Sequence, residues 1–127
     1  MDFLLDTHTL IWFLEGDNNL SKVVIDLLED PQKQKHVSIV SIWEIAIKIN
    51  IGKLEIKTAL DQLPDFLLVN DFELLPLTIE HCLFYQKLPL HHRDPFDRLL
   101  IAQAAIENLT VLTKDSHFEA YSVPILW

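Results

Sequence analysis

Cysteine occurs only once in this chain, at position 82, so no intrachain disulfide can form and a reducing cytoplasm fits. Within IEHCLFYQ, Cys82 is expected to pack as a small buried hydrophobe rather than to serve as a reactive thiol. Long hydrophobic runs are also missing. With 50% hydrophobic and 23% charged residues the chain is too apolar for disorder. Its apolar runs nevertheless stay far short of the roughly 18 residues of a membrane span. A soluble, globular, membrane-free protein is expected. MDFLLDTH puts an acid where a signal peptide carries positive charge, and no small-residue cleavage site follows, so no export signal is expected. Basic residues are scarce. Ten Lys plus Arg against nineteen Asp plus Glu gives a net charge of −9, which would repel a phosphate backbone if spread evenly. A nucleic-acid partner therefore requires a local cause. Either acids are gathered and neutralised in a metal site, or Lys48, Lys53, Lys57, Arg93, Arg98 and Lys114 form a patch beside it. Otherwise the charge describes no more than an acidic surface. No internal repeat, low-complexity tract or linker interrupts the 127 residues, and one domain spanning 1–127 is expected.

What is present is an alternation of short strands and helices. Residues 2–5 (DFLL) read as a strand, followed by a helix from Thr7 to Leu14 closed by Gly16. A second helix covers Ser21 to Glu29, with Val23, Val24, Leu27 and Leu28 on one face. Residues 36–40 (HVSIV) form a strand leading into a helix from Ser41 to Asn50, ended by Gly52. A helical stretch from Thr58 to Val69 must be kinked or divided at Pro64. Residues 72–77 read as a strand interrupted by Pro76, which suits a sheet edge or a strand end. Thr78 and Glu80 open a helix to Gln86, and 87–93 is a loop. Asp94-Pro95-Phe96-Asp97 is the clearest helix start, with Asp94 as N-cap and Pro95 at the first helical position. That helix runs to Asn108. It is followed by a strand at 110–113, a short helical turn begun by Asp115 and a terminal strand at 124–127. Strands separated by helices of about ten residues imply an α/β fold with a mostly parallel sheet covered on both faces.

Four carboxylates sit in or beside apolar or element-ending stretches: Asp6, Glu44, Asp97 and Asp115. In an open α/β sheet, ligands bind outside the carboxyl ends of the strands, and these acids fall there. Asp6 follows the first strand and Asp115 follows the strand at 110–113, while Glu44 and Asp97 lie in the first turns of their helices. Each has a structural alternative. Asp6 and Asp115 suit helix caps, Glu44 precedes Lys48 by four residues as in a surface ion pair, and Asp97 suits a capping arrangement with Asp94. Together they suggest a divalent cation, because gathering desolvated acids without one adds burial cost to like-charge repulsion. Oxygen donors without zinc-spaced His or Cys pairs select Mg²⁺ or Mn²⁺. His91 and His92 are expected to be solvated rather than ligating, and His8 and His117 are weaker candidates for substrate contact. Such a site activates water and stabilises an in-line phosphoryl displacement, so phosphodiester hydrolysis is the natural chemistry. Thr7 and Thr113 are placed to hydrogen-bond a carboxylate or a water there, or simply to pack at the strand ends.

The segments LLDTHTLIWFL, VSIVSIWEIAIKINIGKL, HHRDPFDRLLIAQAAIENLTVLTKDSHFEAY and VPILW together resemble the PIN domain, specifically the VapC-like toxins of type II toxin–antitoxin systems. DTH, SxWE, DPFDR and TKD follow in the family's order across nearly the whole chain. The resemblance implies a three-layer α/β/α sandwich, Mg²⁺- or Mn²⁺-dependent endoribonuclease activity, a cognate antitoxin and homodimerisation. It places the acidic quartet on Asp6, Glu44, Asp97 and Asp115. Asp6 and Asp97 would be the principal metal ligands, and Asp94 stands as cap or additional ligand. Trp12, Phe13 and the run Phe66 to Val69 are candidate partner-facing residues, with core packing as the alternative for most. Two further readings are weighed beside this one: an aspartate-dependent phosphatase or phospho-receiver domain, and a non-catalytic PIN-like binding module. LLDTHT lacks the second acid a phosphatase motif would carry, and paired receiver acids are not evident.

Overall fold

Strand β1 (Asp2–Leu5) is the innermost element of the computed structural model, which describes residues 1–127. Its sequence explains the position. Phe3, Leu4 and Leu5 are all buried, so both faces of the strand must be covered. It pairs in parallel with β2 (Gln34–Ser38) on one side and β4 (Thr110–Leu112) on the other. The outer strands β3 (Phe72–Leu75) and β5 (Ile125–Leu126) are parallel as well, giving the order β3-β2-β1-β4-β5. The sheet is therefore parallel throughout. β3 stops before Pro76 and lies at an edge, where a residue lacking a backbone donor costs no ladder bond.

Alternation along the strands divides the core into two clusters. Phe3, Leu5, Val37, Phe72 and Leu112 face one way, onto α1 (Thr7–Glu15), α2 (Lys22–Glu29) and α4 (Leu63–Val69), with Leu10, Val24, Leu28 and Leu67 among the helix residues they meet. Leu4 and Val111 face the other way, onto Leu100, Ile101 and Ala104 of α6 (Pro95–Glu107). α3 (Ile39–Asn50) contributes to both clusters through Ile45 and Val40, and α5 (Ile79–Gln86) packs along α6. The result is a three-layer α/β/α sandwich.

Local chemistry adjusts several boundaries. β2 ends at Ser38 rather than residue 40, because the Ser38 hydroxyl accepts the Val40 amide and caps α3 two residues earlier than the apolar pattern suggests. Glu44 consequently lies in the second turn of α3, not the first. Pro64 starts α4 instead of kinking it, and the preceding stretch is a short 3₁₀ turn, Leu60–Gln62. Cys82 departs from the expectation of burial: it is exposed, on the wall of an open apolar slot shared with Trp43, Phe96 and Leu99. Trp12, Phe13 and Phe66 pack partly buried against the core, whereas Leu68 and Val69 are 77% and 79% exposed. No helix is long and apolar enough to cross a membrane.

Arg98 is not available to a basic surface patch. It is buried in α6, where its Nη1 donates to the carbonyls of Pro89 and His92 and to the Tyr121 hydroxyl, at 2.8, 3.3 and 3.1 Å. Its guanidinium also lies 4.9 Å from the Tyr85 ring centroid. One side chain thereby pins the 87–93 loop onto the first turn of α6. Arg98→Met is expected to lower stability by roughly 2–4 kcal/mol in chemical denaturation, because it strands these carbonyls without a donor. The same substitution should release the loop, seen as faster amide exchange at His92, whose N–H donates to Tyr121.

Candidate active site

The strand order places the recess. Chain connections run from β1 outward through β2 to β3 and then return to β4 on the other side of β1. The switch point, where a crevice opens at the carboxyl edge, is therefore between β1 and β4. Asp6 follows β1 there, and its backbone N–H donates to the Leu112 carbonyl of β4. Its side chain is almost fully buried. Oδ1 accepts the Thr9 amide at 2.8 Å and faces the Thr9 hydroxyl at 2.6 Å, while Oδ2 accepts the Thr113 hydroxyl at 2.6 Å. Asp6 thus caps α1 with one oxygen and faces the β4 end with the other. No cationic side chain pairs with it.

Glu44 reaches the same end of the sheet from α3 and is 3% exposed, so it is not part of a solvated stripe. Its Oε1 accepts the Thr7 hydroxyl and its Oε2 accepts Lys48 Nζ, both at 2.7 Å. Thr7 also lies 3.0 Å from the Ser41 hydroxyl, which links α1 to α3 across the recess. Thr7 and Thr113 therefore each hold a carboxylate.

The DPFDR segment supplies two more acids. Asp94 caps α6, its Oδ1 accepting the amides of Phe96 and Asp97 at 2.9 and 3.2 Å. Asp97, in the first turn, is half-buried, and the ring Nε2 of His92 lies 3.1 Å from its Oδ2. Asp115 caps the 3₁₀ segment Ser116–Ala120 and pairs with His117, whose amide and Nδ1 lie 2.9 and 2.7 Å from Oδ1. The rings of His92 and His117 stack at 4.7 Å with an interplanar angle of 7°.

His92 is therefore not a solvated loop residue. Proximity in sequence to an N-cap is the signal that identifies it. A residue two before the cap lies where the chain turns over the first helical turn, within reach of the third helical side chain. His117 is drawn in by the cap at Asp115, which turns the chain so that the next residue but one folds back on the carboxylate.

The electrostatics tie the acids together. Burial first, and then the charges of Asp94, Asp6 and Glu44, together push the Asp97 carboxyl up to about 6 against the lowering contact with His92. Burial also raises Asp6 above the ordinary carboxylate value, outweighing the hydrogen bonds from Thr113 and Thr9. Asp115 behaves differently. Burial would raise it, but the amide, ring and charge of His117 and the nearby His92 outweigh that and hold it low. Asp6 and Asp115 also line one open cavity of about 250 Å³ together with His8, Trp12 and Lys114. Of the six basic candidates, Lys48 is bound to Glu44 and Lys114 borders the cavity.

This donor set fits a hard divalent cation. Asp6, Glu44, Asp94, Asp97 and Asp115 offer carboxylate oxygens, and Lys48 is the only permanently charged side chain paired to any of them. Donor atoms of His92, Asp94 and Asp97 lie within 4.8 Å of one another, as do those of His92, Asp115 and His117. The carboxylate oxygens are the donors that suit Mg²⁺ or Mn²⁺.

An acid-lined crevice at the switch point of a five-stranded parallel sheet, covered by helices on both faces, defines the architecture of the site. The chain belongs to the PIN domain family, whose model matches residues 3–124. No curated protein matches it. Solved structures share the fold at low identity. A chain of the VapBC2 complex from Rickettsia felis, bound to a DNA fragment from its promoter, aligns with TM-score 0.74 and 16% identity over 99% of this chain and 98% of that one. A chain of DNA-bound VapBC from Salmonella typhimurium gives 0.72 and 15% over 99% and 97%. One from FitAcB of Neisseria gonorrhoeae gives 0.69 and 21% over 98% and 96%.

Proposed function

We propose that this protein is a metal-dependent endoribonuclease acting as the toxin of a type II toxin–antitoxin pair. Membership of the PIN family, whose domains are nucleases, supports hydrolysis of nucleic acid. The observation that carries the site assignment is the gathering of Asp6, Glu44, Asp94 and Asp97 closely enough to raise Asp97, with only Lys48 as a fixed positive partner. Asp6 and Asp97 would be the principal ligands of Mg²⁺ or Mn²⁺, Glu44 and Asp115 would complete the set, and Asp94 would remain chiefly the α6 cap. A cation there supplies activation of water and stabilisation of the charge that develops on a phosphodiester.

The chain's own residues do the positioning. Thr113 and Thr9 fix the rotamer of Asp6 by holding one carboxylate oxygen each. Thr7 and Lys48 hold Glu44 in one orientation, and His92 orients Asp97. A protein of net charge −9 also suits a basic antitoxin segment approaching these carboxylates. The exposed apolar residues Trp43, Leu68 and Val69 accord with partner surfaces, including a homodimer, and the single cysteine accords with a cytoplasmic setting.

The test combines binding with chemistry. Mn²⁺ added to chelator-treated protein is expected to raise the melting temperature, reaching about 2.7 kcal/mol of stabilisation at a hundredfold excess over the dissociation constant. Single-stranded RNA should be cleaved only in its presence. No thermal shift and no cleavage at millimolar Mn²⁺ would leave a non-catalytic binding module. A covalent mass increase with a small phosphodonor would instead indicate a phosphatase or receiver.

A further inference from the structure

The proposed nuclease has an electrostatic difficulty: its acids repel the RNA backbone they must engage. Affinity must then come in part from contacts that do not depend on phosphate charge. The cavity bounded by Asp6 and Asp115 has such contacts on its remaining walls, namely His8, Trp12 and Lys114. Trp12 is half-buried against the core and packs edge-on with Trp127, the ring centroids 5.7 Å apart and the planes at 66°. His8 lies one turn earlier on α1 and is exposed, its ring 5.7 Å from Trp12 and tilted by 40°. Lys114 places its ammonium 5.9 Å from the centroid of the Trp12 ring. That lysine is exposed, and its only hydrogen bond is a 3.3 Å contact to Asn19 at the surface.

Resting on the ribonuclease reading, we propose that this cavity is a base-stacking subsite for the nucleotide next to the scissile phosphate of single-stranded RNA. Trp12 and His8 provide the aromatic wall, and Lys114 moves from the ring to the adjoining phosphate. A rigid indole beside a mobile ammonium matches the two faces of a nucleotide, one planar and apolar, the other anionic. At about 250 Å³ the cavity falls below the roughly 300–1,000 Å³ of drug-sized pockets, which suits one heterocycle rather than a duplex. The apolar slot between Trp43, Tyr85, Phe96 and Leu99 is also lined by aromatics, but none of the acids or basic side chains borders it.

The experiment uses an RNA oligonucleotide that the wild-type protein cleaves, together with versions carrying a single abasic nucleotide on either side of the cut. Binding of end-labelled RNA to the cleavage-deficient Asp97→Asn protein is followed by anisotropy. One abasic position should weaken binding about tenfold when Trp12 is present and by less than twofold in a Trp12→Leu, Asp97→Asn double variant. Trp12 packs against the core, so His8→Ala and Lys114→Ala, both at exposed positions, are measured in parallel. Each should raise KM more than it lowers kcat, and Lys114→Ala should reduce the salt slope of binding by about one. Equal abasic losses with and without Trp12, while wild-type RNA is still cleaved, would overturn the subsite and leave the nuclease intact. Absence of any RNA cleavage by the wild type would overturn both.

Discussion

Asp97→Asn is expected to reduce metal-dependent RNA cleavage at pH 7 by roughly 10³-fold, equivalent to about 4 kcal/mol of transition-state stabilisation. The substitution keeps the size of the side chain and leaves Asp94 to cap α6, so the helix start should persist. What it removes is a negative oxygen at the point where the charges of Asp94, Asp6 and Glu44 converge. Asp6→Asn should be of similar severity, although its amide would also disturb the bonds from Thr9 and Thr113. Asp94→Asn should be much milder, because asparagine caps helices about as well as aspartate. Single-turnover cleavage by all three variants orders the ligands. An Asp94→Asn loss as deep as that of Asp97→Asn would move Asp94 into the metal-binding set.

The same Asp97→Asn change is expected to stabilise the metal-free protein at pH 7, by at most ~3 kcal/mol. In the folded state the Asp97 carboxyl is pushed up to about 6 from an ordinary value of 3.8. A carboxyl raised in this way contributes most favourably below its unfolded value, and that contribution is lost as pH rises through 6. Asp6, also raised, acts with the same sign. Chelator-treated wild type should therefore melt higher at pH 5 than at pH 7.5, and the Asn variant should show a flatter profile. Asp115, held low, works in the opposite direction and only at more acidic pH. Manganese at neutral pH should reverse the order, stabilising the wild type over the variant. Identical pH profiles for the two metal-free proteins would mean that the carboxylates do not strain the fold. Function lost and stability gained from one atom exchange is the signature of a site built from buried acids that also repel one another.

Much of the geometry of the candidate site was legible in the chain because its acids sit at or near element boundaries. Asp6, Asp94 and Asp115 each cap a helical segment, and caps are local features written in neighbouring residues. The parallel sheet was legible from strands alternating with helices, and the edge position of β3 from Pro76. Less visible were the contacts that depend on three-dimensional arrival. His92 meets Asp97 because Arg98 draws the preceding loop back over α6, a long-range effect of one buried guanidinium. Helix α5 illustrates the same limit on a small scale. Its capping box closes through His81, whose Nδ1 accepts the Thr78 amide while Nε2 faces Glu107, where pattern alone would seek a glutamate or glutamine. Cys82 was misread for a related reason. Its neighbours are apolar, but the slot it lines with Phe96 and Leu99 of α6 is open to solvent.

The pairing of Asp6 with Thr113 spans 107 positions, and β4 must dock beside β1 before the two meet. Synthesis proceeds from the N-terminus at about 5–20 residues per second, so Asp6 emerges from the ribosome several seconds before its partner. During that interval β1 lacks one of its two neighbours, and no crevice exists between β1 and β4. If the protein is the ribonuclease proposed above, a nascent chain of this topology is harmless to the RNA of the ribosome making it. The crevice is complete only once the final strands have docked, which, on that proposal, leaves an antitoxin translated nearby time to be waiting.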